Sequence, residues 1–203
     1  MPSKLIKKLG GLSDNCEAPP LRILLVDDHK VVCHALTFML ASVDGIEVVG
    51  IALDGEKALR KAEELSPDVI VLDILMPNLG GIETLRLLKI QQPEITVVIL
   101  SVTAELEQVY RVLKLGASAY VLKESAGSEL VTAIRTAAAG GRYFTPPVCH
   151  LLVSDYLRLR EQELSTPESS VLSDRELEVL KLFTQGDSTK VIADKLNLSP
   201  KTV

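Results

Sequence analysis

The residues best suited to chemistry are three aspartates standing where apolar runs stop. Asp27 and Asp28 close Leu21-Arg22-Ile23-Leu24-Leu25-Val26, and Asp73 closes Asp68-Val69-Ile70-Val71-Leu72 ahead of Ile74-Leu75-Met76-Pro77. Ser101 and Lys123 follow two more runs of the same kind. Charges at the ends of buried strands serve no packing purpose; they point to a site at the carboxyl edge of a parallel sheet. Three carboxylates converging there would repel by about 4 kcal/mol per pair at 4 Å and an effective dielectric near 20. A cation relieves that repulsion, and an all-oxygen donor set favours Mg²⁺ or Mn²⁺. Asp28, Asp73 and the Leu75 backbone carbonyl are candidates to hold the ion, with Asp27 bound through water. Asp73 opens the turn Asp73-Ile74-Leu75-Met76-Pro77 and is placed as a nucleophile. The Ser101 hydroxyl and Lys123 ammonium would bind phosphoryl oxygens and counter the charge that develops during transfer. Phosphoryl transfer to a carboxylate is the chemistry this set fits.

Each residue also has a plainer reading. An aspartate at a strand's carboxyl end can be a helix N-cap, a lone Ser101 can be structural, and Lys123 can be a solvated surface lysine. The conjunction in strand order favours the chemical reading.

The elements that must position these groups follow from periodicity. Apolar runs at 21–26, 46–51, 68–72, 95–100 and 118–122 are rich in Val, Ile and Leu with little alternation, as in strands buried on both faces. Between them lie helical patterns. Val32, Ala35, Leu36, Met39 and Leu40 share one face, and further helices are expected over 55–65, 82–91, 105–115 and 127–139. Five β-then-α units imply a doubly wound, five-stranded parallel sheet with helices on both sides. Right-handed crossovers then bring every strand's carboxyl end to one edge. After Gly140-Gly141 a linker (141–171) carries one helix, centred on Leu151 to Leu159, and 165–170 reads as flexible. A second unit, 172–203, opens with a Ser173/Glu176 capping box. Leu177, Leu180 and Phe183 line a helix ending at Gly186. Ser188 caps a second helix with Ile192, Ala193 and Leu196, and Ser199-Pro200 opens a third.

The bulk properties restrict the partners. With 203 residues and 47% hydrophobic content, the chain has the composition of an ordinary soluble globular protein. A net charge of -5 advertises no polyanion partner, so DNA binding would need a local basic surface. Cys16, Cys33 and Cys149 form no CxxC; a reducing cytoplasm suits them better than a disulfide framework or zinc site. No apolar run reaches the roughly 18 to 20 residues of a membrane span. The stretch Lys4-Leu5-Ile6-Lys7-Lys8-Leu9 is not a signal peptide; it reads as part of a disordered tail over 1–20, with a short surface-binding helix as the alternative.

Residues 21–140 resemble the receiver domain of a two-component response regulator, a flavodoxin-like fold. The resemblance rests on Ile23-Leu24-Leu25-Val26-Asp27-Asp28-His29, Leu72-Asp73-Ile74-Leu75-Met76-Pro77-Asn78-Leu79-Gly80-Gly81, Leu100-Ser101 and Gly116-Ala117-Ser118-Ala119-Tyr120-Val121-Leu122-Lys123. It implies that Asp73 accepts a phosphoryl group from a histidine kinase's phosphohistidine, with Mg²⁺ required. It also implies that Ser101 and Tyr120 form a switch, Ser101 moving toward the phosphoryl group while Tyr120 turns inward. A half-buried strand aromatic is the plainer reading of Tyr120. Leu172-Ser173-Asp174-Arg175-Glu176-Leu177-Glu178-Val179-Leu180 and the run from Gly186 to Val203 resemble a LuxR-type helix-turn-helix domain, cut short in its recognition helix. Together the units resemble the NarL/FixJ class of transcriptional regulators. The class implies a cytoplasmic regulator that dimerises on phosphorylation and binds promoter DNA; it is no enzyme, catalysing only its own phosphoryl transfer and dephosphorylation.

The second unit carries five acids and five bases, and its base reader is only begun. This chain is therefore expected to bind DNA weakly or not at all, since phosphate contacts dominate non-specific affinity. Lys190, Lys201 and Thr202 are the candidate DNA contacts, with solvation as the alternative for the lysines. A receiver acting as an interaction or phosphate-sink module, with a vestigial second unit, is the competing function. A flavodoxin-like cofactor binder is disfavoured because Asp27-Asp28 would repel an anionic cofactor. An aspartyl phosphatase would want a second carboxylate at position 75, where Leu stands.

Overall fold

The computed structural model describes residues 19–165, 178–179, 182, 189–196 and 198–199. The chain divides into two compact units between Leu152 and Val153. In the first, the elements run β1 (Leu21–Val26), α1 (Lys30–Ala41), β2 (Ile46–Ala52), α2 (Gly55–Leu65), β3 (Val69–Asp73), α3 (Gly81–Gln91), β4 (Thr96–Ser101), α4 (Leu106–Lys114) and β5 (Ala119–Leu122). A single 3₁₀ turn, Lys123–Ser125, leads into α5 (Ala126–Ala138). Then come β6 (Tyr143–Phe144) and α6 (Pro146–Ser165), whose last residues belong to the second unit.

The strands form one parallel sheet in the order β2-β1-β3-β4-β5-β6. The unbroken apolar runs are explained by cover on both faces. Leu24, Val26, Ile70, Leu72, Val97, Ile99, Tyr120 and Leu122 turn to one face, where Ala58, Ala62, Leu85, Leu88, Val109 and Val112 of α2, α3 and α4 cover them. Their neighbours Ile23, Leu25, Val69, Val71, Val98, Leu100, Ala119 and Val121 meet α1 and α5 on the other. Alternation along the strand thus chooses between two apolar layers, not between core and water.

The sheet has six strands where five were expected. The extra strand, β6, is two residues long and pairs Tyr143 with Ala119 and Phe144 with Tyr120. A two-residue strand has no periodicity to read, and residues 142–145 fall within the stretch 141–171 that reads as linker. The helix expected around Leu151 to Leu159 spans Pro146–Ser165, with Val148 buried in the first unit's core. In α1 the buried residues are Cys33, Leu36 and Leu40; Ala35, expected on that face, is exposed.

In the second unit, Asp155 accepts hydrogen bonds from Arg158 at 2.6 and 3.1 Å. Helix α7 (Thr189–Leu196) buries Ile192 and Ala193 as expected. The capping box, the helix through Leu177, Leu180 and Phe183, the Ser188 cap and the start of a third helix at Pro200 lie outside the described residues. So do residues 1–18 of the tail expected over 1–20 and residues 166–170 of the stretch 165–170.

Candidate functional site

Strand register assembles the site. Val26 pairs with Leu72, so Asp27 and Asp73 leave adjacent strands side by side. Asp73 pairs with Leu100 and Ser101 with Leu122, which sets Ser101 and then Lys123 beside Asp73 in turn. Four strands thus deliver the sequence-predicted residues to one edge. A groove lined by Leu21, Asp68, Pro93, Ile95 and Thr96 lies at the opposite edge, among the strand beginnings, away from these groups.

Asp27 (2% exposed), Asp73 (1%) and Ser101 (0%) are buried. The Lys123 ammonium lies between two of the carboxylates, 2.7 Å from Asp27 Oδ2 and 2.8 Å from Asp73 Oδ2. The solvated-lysine reading is thereby excluded, and so is the N-cap reading of the acids: the N-cap of α1 is His29, with no side-chain capping bond. Asp27 Oδ1 instead accepts from the His29 amide at 2.8 Å. The His29 ring, two-thirds exposed, sets Nδ1 2.9 Å from Asp28 Oδ1 and 3.2 Å from Asp27 Oδ1.

Burial raises the Asp73 pKa, and the hydrogen bond and charge of Lys123 only partly oppose it. For Lys123, burial acts to lower the pKa, but the adjacent Asp27 and Asp73 carboxylates outweigh it and hold the ammonium protonated. Asp27 Oδ2 and Asp28 Oδ1 are screened from solvent and accept no well-directed hydrogen bond, although Lys123 and His29 stand close to them. Ligand atoms of Asp27, Asp28, His29 and Asp73 all lie within 4.8 Å of one another. Lone pairs without directed partners, on carboxylates this close, suit a hard divalent cation.

The Asp73 turn is held by backbone. Leu75 N donates to Asp73 Oδ1 at 3.2 Å and Gly81 N to the Ile74 carbonyl at 3.0 Å. Asn78 takes φ 63°, a left-handed conformation that Asn tolerates. A Cβ on Gly81 would stand 2.0 Å from the Asp73 carbonyl oxygen, so only glycine lets α3 begin against this turn. Tyr120 is fully buried, not half-buried, and its hydroxyl donates to the Thr103 carbonyl at 2.7 Å. The Ser101 hydroxyl accepts from Thr103 N at 3.4 Å.

Two neighbours of the site carried no assigned role in the sequence reading. His29 stands directly after the acidic pair, and that adjacency alone places it at the site. Cys33 sits one helical turn on, its thiol donating to the Asp27 carbonyl at 3.4 Å. Burial, reinforced by the Asp27 charge, pushes that thiol up to about 11. Of the candidate DNA contacts, Lys190 is exposed on α7, while Lys201 and Thr202 lie outside the described residues.

An acidic cluster, a lysine and a hydroxyl at the carboxyl edge of such a sheet define the class of receiver domains. Residues 23–135 match the response regulator receiver domain, and residues 170–203 match the bacterial regulatory proteins of the luxR family. The response regulator GacA of Pseudomonas viridiflava is 40% identical over 183 residues, covering 90% of this chain and 84% of that protein. Among solved structures, a LuxR-family two-component response regulator from Aurantimonas sp. SI85-9A1 is 31% identical, with TM-score 0.66, over 68% of this chain and 99% of the other. The response regulator RcsB in complex with DNA is 26% identical, with TM-score 0.63, over 90% and 86%. The chain belongs to the two-component response regulators of the NarL/FixJ family. It is a phosphorelay-regulated transcription regulator, and the reading as an interaction or phosphate-sink module is set aside. Among the described residues, no helix is long and apolar enough to cross a membrane.

Proposed function

We propose that Asp73 is the phosphoacceptor of this regulator and that a histidine kinase is the donor. The observation that carries the reading is the Asp73 carboxylate at the end of β3, 2.8 Å from Lys123 Nζ and clustered with Asp27, Asp28 and His29. An Asp73 oxygen attacks the phosphorus of a phosphohistidine; the new O–P bond forms as the N–P bond breaks, and the imidazole leaves with the bonding pair. Lys123 and Ser101 bind the phosphoryl oxygens. Asp27, Asp28, Asp73 and the Leu75 carbonyl are the groups that would hold Mg²⁺, or Mn²⁺ in its place, which neutralises charge on the transferring group. The chain's catalysis is confined to gaining and losing its own phosphoryl group.

Tyr120 already lies inward here, bonded to Thr103. Phosphorylation therefore stabilises the inward arrangement by drawing Ser101 toward the phosphoryl group, a shift of population between existing states. The output is homodimerisation and DNA binding by the LuxR-type unit in the cytoplasm, weak in this chain because five acids balance five bases there, with Lys190, Lys201 and Thr202 as phosphate contacts. RcsB bound to DNA supports that reading. To test the acceptor, the protein is incubated with a small phosphodonor and Mg²⁺ and analysed by intact mass. One phosphoryl group per chain is expected, and none in Asp73→Ala. Uptake by Asp73→Ala at the wild-type rate would refute the assignment.

A further inference from the structure

We propose that His29 sets the metal specificity of the acidic site, its imidazole nitrogen joining the carboxylate oxygens so that Mn²⁺ is taken in preference to Mg²⁺. The inference rests on the cation site described above and adds a nitrogen donor to it. The His29 backbone is pinned on both sides: its amide donates to Asp27 Oδ1 at 2.8 Å, and its carbonyl accepts from Cys33 N at 3.1 Å in the first turn of α1. That leaves the ring above the acidic pair, where the 65% exposure of the side chain gives an arriving ion access to it.

The spacing fits cis ligands on one ion. For metal–ligand bonds of about 2.0 to 2.2 Å, adjacent corners of an octahedron stand about 2.8 to 3.1 Å apart. Nδ1 lies 2.9 Å from Asp28 Oδ1, within that range, and 3.2 Å from Asp27 Oδ1, just beyond it, as suits an Asp27 bound through water. The same spacing serves a hydrogen bond when no ion is present, so binding needs no rebuilding of the loop. Magnesium takes oxygen ligands and dehydrates reluctantly, whereas imidazole suits first-row transition ions. A mixed nitrogen and oxygen set therefore discriminates in a way that three aspartates alone would not.

The test uses the full chain and Mn²⁺ alone, followed by electron paramagnetic resonance, with Mg²⁺ as competitor. Wild type should show nitrogen hyperfine coupling to bound Mn²⁺, and His29→Gln should lose it. In His29→Gln the Mn²⁺ affinity should fall at least about tenfold while Mg²⁺ affinity changes less than about twofold, since even an outer partner of a metal ligand is worth about 10- to 100-fold. His34→Gln, an exposed change on the same helix, should leave both affinities unaltered. Absence of nitrogen coupling in wild type, or equal weakening for both ions in His29→Gln, overturns the proposal. Asp28→Asn separates the two levels. If it abolishes Mn²⁺ binding while His29→Gln changes nothing, only the role of His29 falls. If Mn²⁺ binds equally well to Asp28→Asn, the acidic cluster is not the cation site, and both readings fail.

Discussion

Replacing Lys123 with methionine tests whether that ammonium holds the acidic edge together. Its Nζ lies 2.7 Å from Asp27 Oδ2 and 2.8 Å from Asp73 Oδ2. At an effective dielectric near 20, each contact carries about 6 kcal/mol of Coulomb attraction, most of it offset by desolvation. Removing one partner of a buried ion pair leaves a net cost of about 3–5 kcal/mol. The Lys123 side chain keeps 15% exposure, so the lower end applies. The expected loss is about 3 kcal/mol, or roughly 6–12 °C in melting temperature for a protein of this size. The chain has no tryptophan, so urea and thermal melts are followed by far-UV circular dichroism. In EDTA, Lys123→Met should show the full loss. A divalent cation should restore much of it by taking over the orphaned carboxylates, since ligand at 100 times its Kd contributes about 2.7 kcal/mol. The gain from cation should be larger in the variant than in wild type, where ion and ammonium compete for the same oxygens. A loss below about 1 kcal/mol in EDTA, or no extra gain from cation, would refute the reasoning.

Asp73→Asn should raise stability as well as block phosphorylation. The folded pKa of Asp73 is raised by burial, so its stabilising contribution is complete below the unfolded value and is lost as pH rises through the folded one. The urea midpoint of Asp73→Asn should therefore move ahead of wild type as pH climbs past the ordinary carboxylate range, in metal-free buffer; a gap that closes with rising pH would contradict this. Gly81→Ala places a Cβ 2.0 Å from the Asp73 carbonyl oxygen and 2.7 Å from Ile74 Cα, backbone atoms with no freedom to yield. A cost near the upper end of about 1–3 kcal/mol is expected in denaturant melts, with slower phosphoryl uptake because the displaced atoms belong to the acceptor itself.

The sheet was legible because its strands are buried on both faces and so appear as uninterrupted apolar runs. β1 and α2 are found with the bounds expected. β6 was not legible, since it is defined by pairing with Ala119 and Tyr120 and not by any pattern in Tyr143 and Phe144. The residues of the site were legible from their place at strand ends. What the sequence could not supply was their mutual arrangement: that Lys123 bridges two carboxylates, that His29 leans over the acidic pair, or that Tyr120 is fully enclosed. Those depend on register between strands far apart in the chain. Cys33 is inconspicuous in the sequence because a small thiol among Val32, Ala35 and Leu36 contributes little to an apolar pattern, though it packs where Ala35 does not.

The order of strands in the sheet bears on when this site can exist at all during synthesis. β1 lies between β2 and β3, and Lys123 reaches Asp73 from 50 residues further along. A nascent chain that has released only β1 and β2 has made Asp27 and Asp28 but has no acceptor beside them. One that ends before Lys123 has an acceptor without its counter-charge. Pairings this distant form late, because loop closure must come before the contacts that reward it. On the proposed assignment of Asp73 as acceptor, receipt of a phosphoryl group requires a chain made and folded through its fifth strand.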